Sequence, residues 1–214
     1  MKNIFICFLL SVIILDAFAQ KISSTSFNET VLAENFNVEG SYFPIMVNED
    51  NYFVLDKGDY LLSRNNQQTE YAIIAKTKTL TDFILKTKIK IAPSKNKLSS
   101  IGVLFKTQLN ATGAIIVEIN GDGEYRIKQL IDSTYKIISN KEGANGWKYN
   151  KVINKENSYN ILEVRCNDNI YELYINNMYL DSFFIAEYNN GLCGLIINPE
   201  TKARIAYYYI KAKG

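Results

Sequence analysis

Short runs in which apolar and polar residues alternate dominate the chain. Phe83, Leu85, Thr87, Ile89 and Ile91 alternate with Ile84, Lys86, Lys88 and Lys90. A two-residue period of this kind marks a strand with one face buried and the other in water. Ile101, Val103 and Phe105 repeat it, as do Ile115, Val117 and Ile119. Asn120-Gly121-Asp122-Gly123 then supplies hairpin-turn chemistry, and the alternation resumes through Tyr125, Ile127, Gln129 and Ile131. Further strands are predicted over 134–139, 159–166, 170–176, 179–186, 191–198 and 203–211. Asn167-Asp168-Asn169 and Asn176-Asn177 read as tight turns, because asparagine tolerates positive φ. No segment holds a helical period. About a dozen short strands at this spacing predict an all-β sandwich or barrel, one domain over residues 30–214.

The composition agrees with that reading and removes several kinds of chemistry. Hydrophobic residues make up 47% and charged residues 21%, enough for an ordinary core and too apolar for wholesale disorder. With 24 basic and 22 acidic residues the net charge is +2, which gives no general reason to expect nucleic acid as a partner. The chain has no histidine. Ser-His-Asp and Cys-His catalysis, and imidazole metal sites, are therefore excluded.

Residues 1–19 read as a secretory signal: Lys2, an apolar run from Ile4 to Leu15, then Ala17-Phe18-Ala19. Cleavage is expected before Gln20. The run is shorter than the ~20 residues that span a bilayer, and no later stretch would anchor the mature chain. The protein is expected to be secreted, periplasmic or at the cell surface, and the composition leans bacterial. Residues 20–29 are polar and read as a loose leader. The mature chain keeps Cys166 and Cys193. An even count in an oxidising compartment invites a disulfide between them. Strand parity turns both thiols toward the core, where two inert free thiols are the alternative.

The order of the segments resembles the concanavalin A-like lectin/glucanase superfamily, in its laminin-G-like and DUF1080-like (3-keto-disaccharide hydrolase-related) branch. Val31-Leu32-Ala33-Glu34-Asn35-Phe36 resembles the opening segment, and Gly58 with Tyr60-Leu61-Leu62 the strand after it. Asp82-Phe83 with Ile101-Gly102-Val103-Leu104-Phe105, and Gly123-Glu124-Tyr125-Arg126-Ile127, are similar to later strands. Trp147 stands before Asn160-Ile161-Leu162-Glu163-Val164, Leu173-Tyr174-Ile175-Asn176-Asn177 and Gly191-Leu192-Cys193-Gly194-Leu195, as in that family. Asn177 replaces a turn glycine, and Tyr207-Tyr208-Tyr209 stands where many relatives carry Phe-Asp-Asn. The resemblance implies a two-sheet antiparallel jelly-roll sandwich, a fold that hosts many functions.

Retaining glucanases on this fold carry a Glu-x-Asp-x-x-Glu strand whose two glutamates act as nucleophile and acid/base. No such triplet occurs, and Glu118, Glu124, Glu163 and Glu172 each read as solvated carboxylates on a strand or turn. Asn120 to Glu124 could be taken for a calcium loop but reads better as a hairpin turn. No cofactor is expected; a weak rim calcium, which some laminin-G-like relatives bind, stays open. Lys86, Lys88 and Lys90 share a strand face, either as a stripe for sulfated or uronic polysaccharides or lipopolysaccharide phosphate, or as an outer face kept soluble. Trp147 and Tyr149, with Asn145 and Asn150, are the candidate sugar-binding residues: a ring to stack on a pyranose and amides to bond its hydroxyls. The competing reading packs Trp147 under its loop as core. Tyr207 to Tyr209 must alternate, so one parity is buried and the other exposed.

The reading favoured is an exported, non-catalytic module for carbohydrate or cell-surface glycan. The alternatives are a glycoside hydrolase or lyase on the same fold, and a structural or adhesion protein.

Overall fold

The structure, a computed structural model, describes residues 21–37, 42–110, 112–139 and 144–214. Residues 1–19, expected to be a signal segment, lie outside the described residues. Within them the chain forms sixteen strands. The first are β1 (Glu29–Glu34), β2 (Met46–Val47), β3 (Asn51–Asp56), β4 (Asp59–Arg64) and β5 (Tyr71–Ile74). There follow β6 (Phe83–Ile91), β7 (Ser100–Thr107), β8 (Gly113–Asn120), β9 (Glu124–Ile131), β10 (Thr134–Ile137) and β11 (Lys148–Tyr149). The last are β12 (Tyr159–Asn167), β13 (Ile170–Ile175), β14 (Met178–Phe184), β15 (Leu192–Ile197) and β16 (Thr201–Ala212).

These strands build two antiparallel sheets. A nine-stranded sheet runs β14-β13-β12-β6-β16-β4-β3-β2, with β1 paired to β16. A seven-stranded sheet runs β10-β9-β8-β7-β15-β5, with β11 paired to β9. The alternation in β6 resolves as predicted: Phe83, Leu85, Thr87, Ile89 and Ile91 are buried, and Ile84, Lys86, Lys88 and Lys90 face outward, half-exposed. Phe83 meets Phe105 of the other sheet at 5.7 Å between ring centroids, and Phe105 meets Tyr171 at 5.4 Å. Each such ring, fully buried, stabilises the sandwich by about 1.5–3 kcal/mol.

The turns explain the register. Asp168-Asn169 and Asn176-Asn177 have φ of 50° and 62°, and 52° and 64°. Two successive positive-φ residues match the twist of a two-residue hairpin. Asn177 thus does the work of the glycine it replaces.

Two expectations change, and the alternation of Tyr207 to Tyr209 holds. Alternation in β7 and β8 suggests one solvated face, yet both strands are buried throughout. Leu104, Ala114, Ile116 and Ile196 form a second apolar cluster on the outer side of the seven-stranded sheet. Residues 21–28, expected to be loose on grounds of polarity, are docked. The Ile22 N–H donates to Glu172 Oε1 at 3.0 Å, Arg165 donates to the Ile22 carbonyl at 2.9 Å, and Phe27 is buried. Tyr208 is fully buried, while Tyr207 and Tyr209 stand outward and stack at 4.8 Å.

Cys166 and Cys193 are buried and free, one on each sheet, facing the core as their parity predicted. Lys106 is also fully buried there, its ammonium donating to the Thr81 carbonyl at 2.7 Å and the Asn189 carbonyl at 2.5 Å. Burial pushes the Cys166 thiol up to about 11, against the opposing pull of Lys106. Burial raises Cys193 as well. Since the thiolate is the nucleophile, both should resist a water-soluble alkylating reagent in native buffer and react after unfolding in guanidinium. Peptide mass mapping reads the result, and rapid native labelling of either cysteine would contradict this packing.

Candidate functional site

The outer face of the seven-stranded sheet carries the main polar hollow, and the hairpin β8–β9 sets its floor. Ile115, Val117 and Ile119 point into the core, so Ile116, Glu118 and Asn120 point out. The register places Glu118 opposite Arg126 and Ile116 opposite Lys128. On its other side Glu118 faces Gly102, where a Cβ would lie 1.9 Å from the Val117 carbonyl oxygen. Only glycine fits this position.

Glu118 has no exposed surface, and two cations hold it. Arg126 donates to Oε2 through Nη2 at 2.6 Å and Nε at 3.2 Å, and Lys128 Nζ stands 2.6 Å from Oε1. Lys128 also pairs with Glu70 at 2.9 Å. Burial by itself pushes the Glu118 carboxyl up, but Lys128 and Arg126 outweigh it and hold it below the usual carboxylate range. Aromatic rings cover both cations: Trp147 lies 4.5 Å from the Arg126 guanidinium and Tyr135 4.2 Å from the Lys128 ammonium. The result is a ladder of alternating charge, Arg126–Glu118–Lys128–Glu70, flanked by two rings.

The hollow above this ladder measures about 800 Å³. Tyr135, Ile137, Asn145 and Trp147 wall it on the β10 and β11 side, and Gln68 to Glu70, Leu98 and Pro199 on the other. Asn120, Asp122, Glu124 and Asn198 add polar groups at one end. Asn120 Oδ1 accepts from the backbone N–H of Asp122 and of Glu124, both at 3.0 Å, so residues 120–124 form a side-chain-locked hairpin turn.

The four candidate sugar-binding residues separate. Trp147 is half-buried, outside the main core, and lines the hollow. Asn145 lines it too, at φ 61°, with its carbonyl accepting from Arg126 at 3.2 Å. Tyr149 is 65% exposed on β11, opposite Glu124 and outside the lining. Asn150 serves its own turn: its Oδ1 accepts from the Val152 N–H at 3.1 Å. Glu118, Arg126, Lys128, Glu70 and Tyr135 escaped the sequence reading, which took Glu118 for a solvated carboxylate. Folding the hairpin about Asp122 sets Glu118 across from Arg126, so part of the ladder was open to inspection.

No family model matches the sequence, and no curated protein matches it. Solved structures do. Carbohydrate-binding module CBM66 from Bacillus subtilis superposes with a TM-score of 0.61 at 10% identity, covering 87% of this chain and 99% of that one. A LamA variant from Zobellia galactanivorans, solved with laminaritriose and laminaritetraose, gives 0.57 at 14% identity, covering 86% and 99%. SCLam, a non-specific endo-beta-1,3(4)-glucanase from family GH16, gives 0.56 at 11% identity, covering 87% and 91%. The fold is the concanavalin A-like jelly roll. Identity this low carries the fold and nothing of the site.

Removing the Glu118 carboxylate leaves Lys128 buried with Glu70 alone. Breaking a buried pair costs about 3–5 kcal/mol, and the remaining partner places Glu118→Ala near the lower end. The lowered Glu118 carboxyl stabilises the fold fully above the unfolded carboxylate range, about pH 4.3. That contribution is lost as pH falls through the lower folded value. Urea unfolding at pH 7 and pH 3 should therefore show a smaller acid loss in Glu118→Ala than in the wild type. Equal losses would refute the ladder.

Proposed function

We propose that the hollow over the Arg126–Glu118–Lys128–Glu70 ladder binds a carbohydrate, and that the protein is an exported binding module. The observation that carries this reading is the pairing of Trp147 and Tyr135 with fixed, ion-paired hydrogen-bonding groups in one hollow. Aromatic faces accept the C–H face of a sugar ring, while held guanidinium, ammonium and amide groups orient its hydroxyls. Three cations (Lys97, Arg126, Lys128) face four carboxylates (Glu70, Glu118, Asp122, Glu124), which suits an uncharged glycan better than a polyanion. The carbohydrate-binding module and the oligosaccharide complex on the same fold support the same reading.

Catalysis fits less well. A retaining glycosidase needs one carboxylic acid to protonate the leaving oxygen and a second carboxylate about 5–5.5 Å away. Glu118 is held ionised by two cations and has no proton to give. The hydrolase alternative rests on Glu70 and Glu124, which share the hollow and leave it a pair of carboxylates at its edges.

A glycan array run beside an assay for released reducing sugar tests both readings. The expected result is retention of one or more neutral glycans with no new reducing ends. Trp147→Ala should weaken retention at least tenfold, about 1.4 kcal/mol, while unfolding at nearly the wild-type temperature. Tyr149→Ala should bind as the wild type does. A large melting-temperature loss in Trp147→Ala would return Trp147 to a structural role, and steady release of reducing ends would favour the hydrolase.

A further inference from the structure

We propose a second ligand site on the opposite face of the sandwich, for the sulfate or carboxylate group of an anionic saccharide. It is independent of the hollow described above and shares no residue with it. Between β3, β4, β16 and β6 the outer face of the nine-stranded sheet sinks into a hollow of about 630 Å³. Tyr52, 47% exposed, and Leu61 offer it apolar surface, and Lys90, Lys202 and Arg204 line it with positive charge.

Part of this charge is uncompensated. Arg204 is committed to Asp59 at 3.2 Å and Asp56 at 3.6 Å. Lys86, two residues before Lys88, is paired with Glu163 at 2.9 Å. Lys88, Lys90 and Lys202 have no carboxylate partner among the described residues. The ammonium groups of Lys88 and Lys90 instead both stand 4.7 Å from the ring centroid of Tyr159. Three unpaired cations on one face, in a chain whose net charge is +2, mark a local surplus. Lys90 and Lys202 line the hollow and Lys88 follows Lys90's face along β6, so an anion placed there meets two unpaired cations with a third beside them, and displaces no internal salt bridge.

The apolar floor selects among anions. Leu61 and the Tyr52 ring match the C–H face of a sugar ring, while the lysines reach a substituent at its edge. A single-stranded nucleic acid would need a series of open aromatic faces for successive bases. Tyr159 does not line the hollow, and two ammonium groups stand by its ring. Tyr52 alone is too little.

The test titrates the mature protein with dextran sulfate, polygalacturonate, neutral dextran and poly-dT by biolayer interferometry, at low and at ~0.3 M salt. Binding to dextran sulfate or polygalacturonate, none to dextran, and at least tenfold weakening at the higher salt are expected. The two anions distinguish a sulfate from a carboxylate as the recognised group. The variant Lys88→Glu/Lys90→Glu/Lys202→Glu should lose at least tenfold. Lys76→Glu/Lys151→Glu/Lys155→Glu, with the same change in net charge elsewhere on the surface, should bind as the wild type, and so should Trp147→Ala. Failure to bind either polyanion, equal loss in the charge-matched variant, loss in Trp147→Ala, or equal affinity for poly-dT would each overturn the proposal.

Discussion

A slip of one residue in the register of β6 would drive Lys86, Lys88 and Lys90 into the sandwich and turn Leu85 and Ile89 out to water. Strand β6 pairs with β12 on one side and β16 on the other, near the middle of the larger sheet. Its register therefore fixes theirs, with Lys86 between Glu163 and Tyr209, and Lys90 between Tyr159 and Arg204. Two-residue turns at Asp168-Asn169 and Asn176-Asn177 extend the same register to β13 and β14. Burying even one unpaired ammonium costs several kcal/mol, so three lysines at alternate positions enforce the alignment as strongly as the apolar residues between them.

The same geometry builds the ladder on the other sheet. Once the β8–β9 hairpin closes around Asn120, Glu118 must face Arg126, and Ile116 must face Lys128. Ion pairs of this burial seldom add stability over apolar residues of the same volume, because the desolvation cost consumes most of the Coulombic gain. What the ladder provides is position. Arg126 is bound by Glu118 and by the Asn145 carbonyl, and Lys128 by two carboxylates, so their remaining donors are aimed without further ordering. A ligand meeting donors already held in place loses less entropy on binding.

The fold was legible where alternation was strict and turns were marked. Strands β6 to β9, β12, β13 and β16 follow from periodicity alone, with ends shifted by one or two residues at most places. Strands β1 to β5 did not, because segments such as Tyr71–Ile74 are too short to establish a period. Of these, only β1 and β4 came from the family resemblance, through Val31–Phe36 and Tyr60–Leu62, and β2, β3 and β5 were not anticipated. The site was half legible. Trp147 and Asn145 stood out by type and clustering, but Glu70 and Tyr135 reach the hollow from distant strands and loops. Linear spacing cannot bring residues 70, 118, 128 and 147 together; only the sheet order does. Tyr149 and Asn150 were grouped with Trp147 by adjacency, yet a short strand and a turn carry them away from it.

The two faces differ in a way that strand parity makes unavoidable. Outward residues of β8 and β9 combine acid and base in facing pairs, so their field is largely cancelled at the floor of the hollow. Three of the four outward residues of β6 are lysines, and only Lys86 finds a facing carboxylate across the register, at Glu163. Packed sheets stand ~10 Å apart, and the outward side chains add to that distance. Charges on one face are thus more than a Debye length, ~8 Å at physiological ionic strength, from those on the other. Through solvent, the exposed surplus of Lys88, Lys90 and Lys202 is therefore largely screened from the hollow on the other sheet, and the two faces present different chemistry.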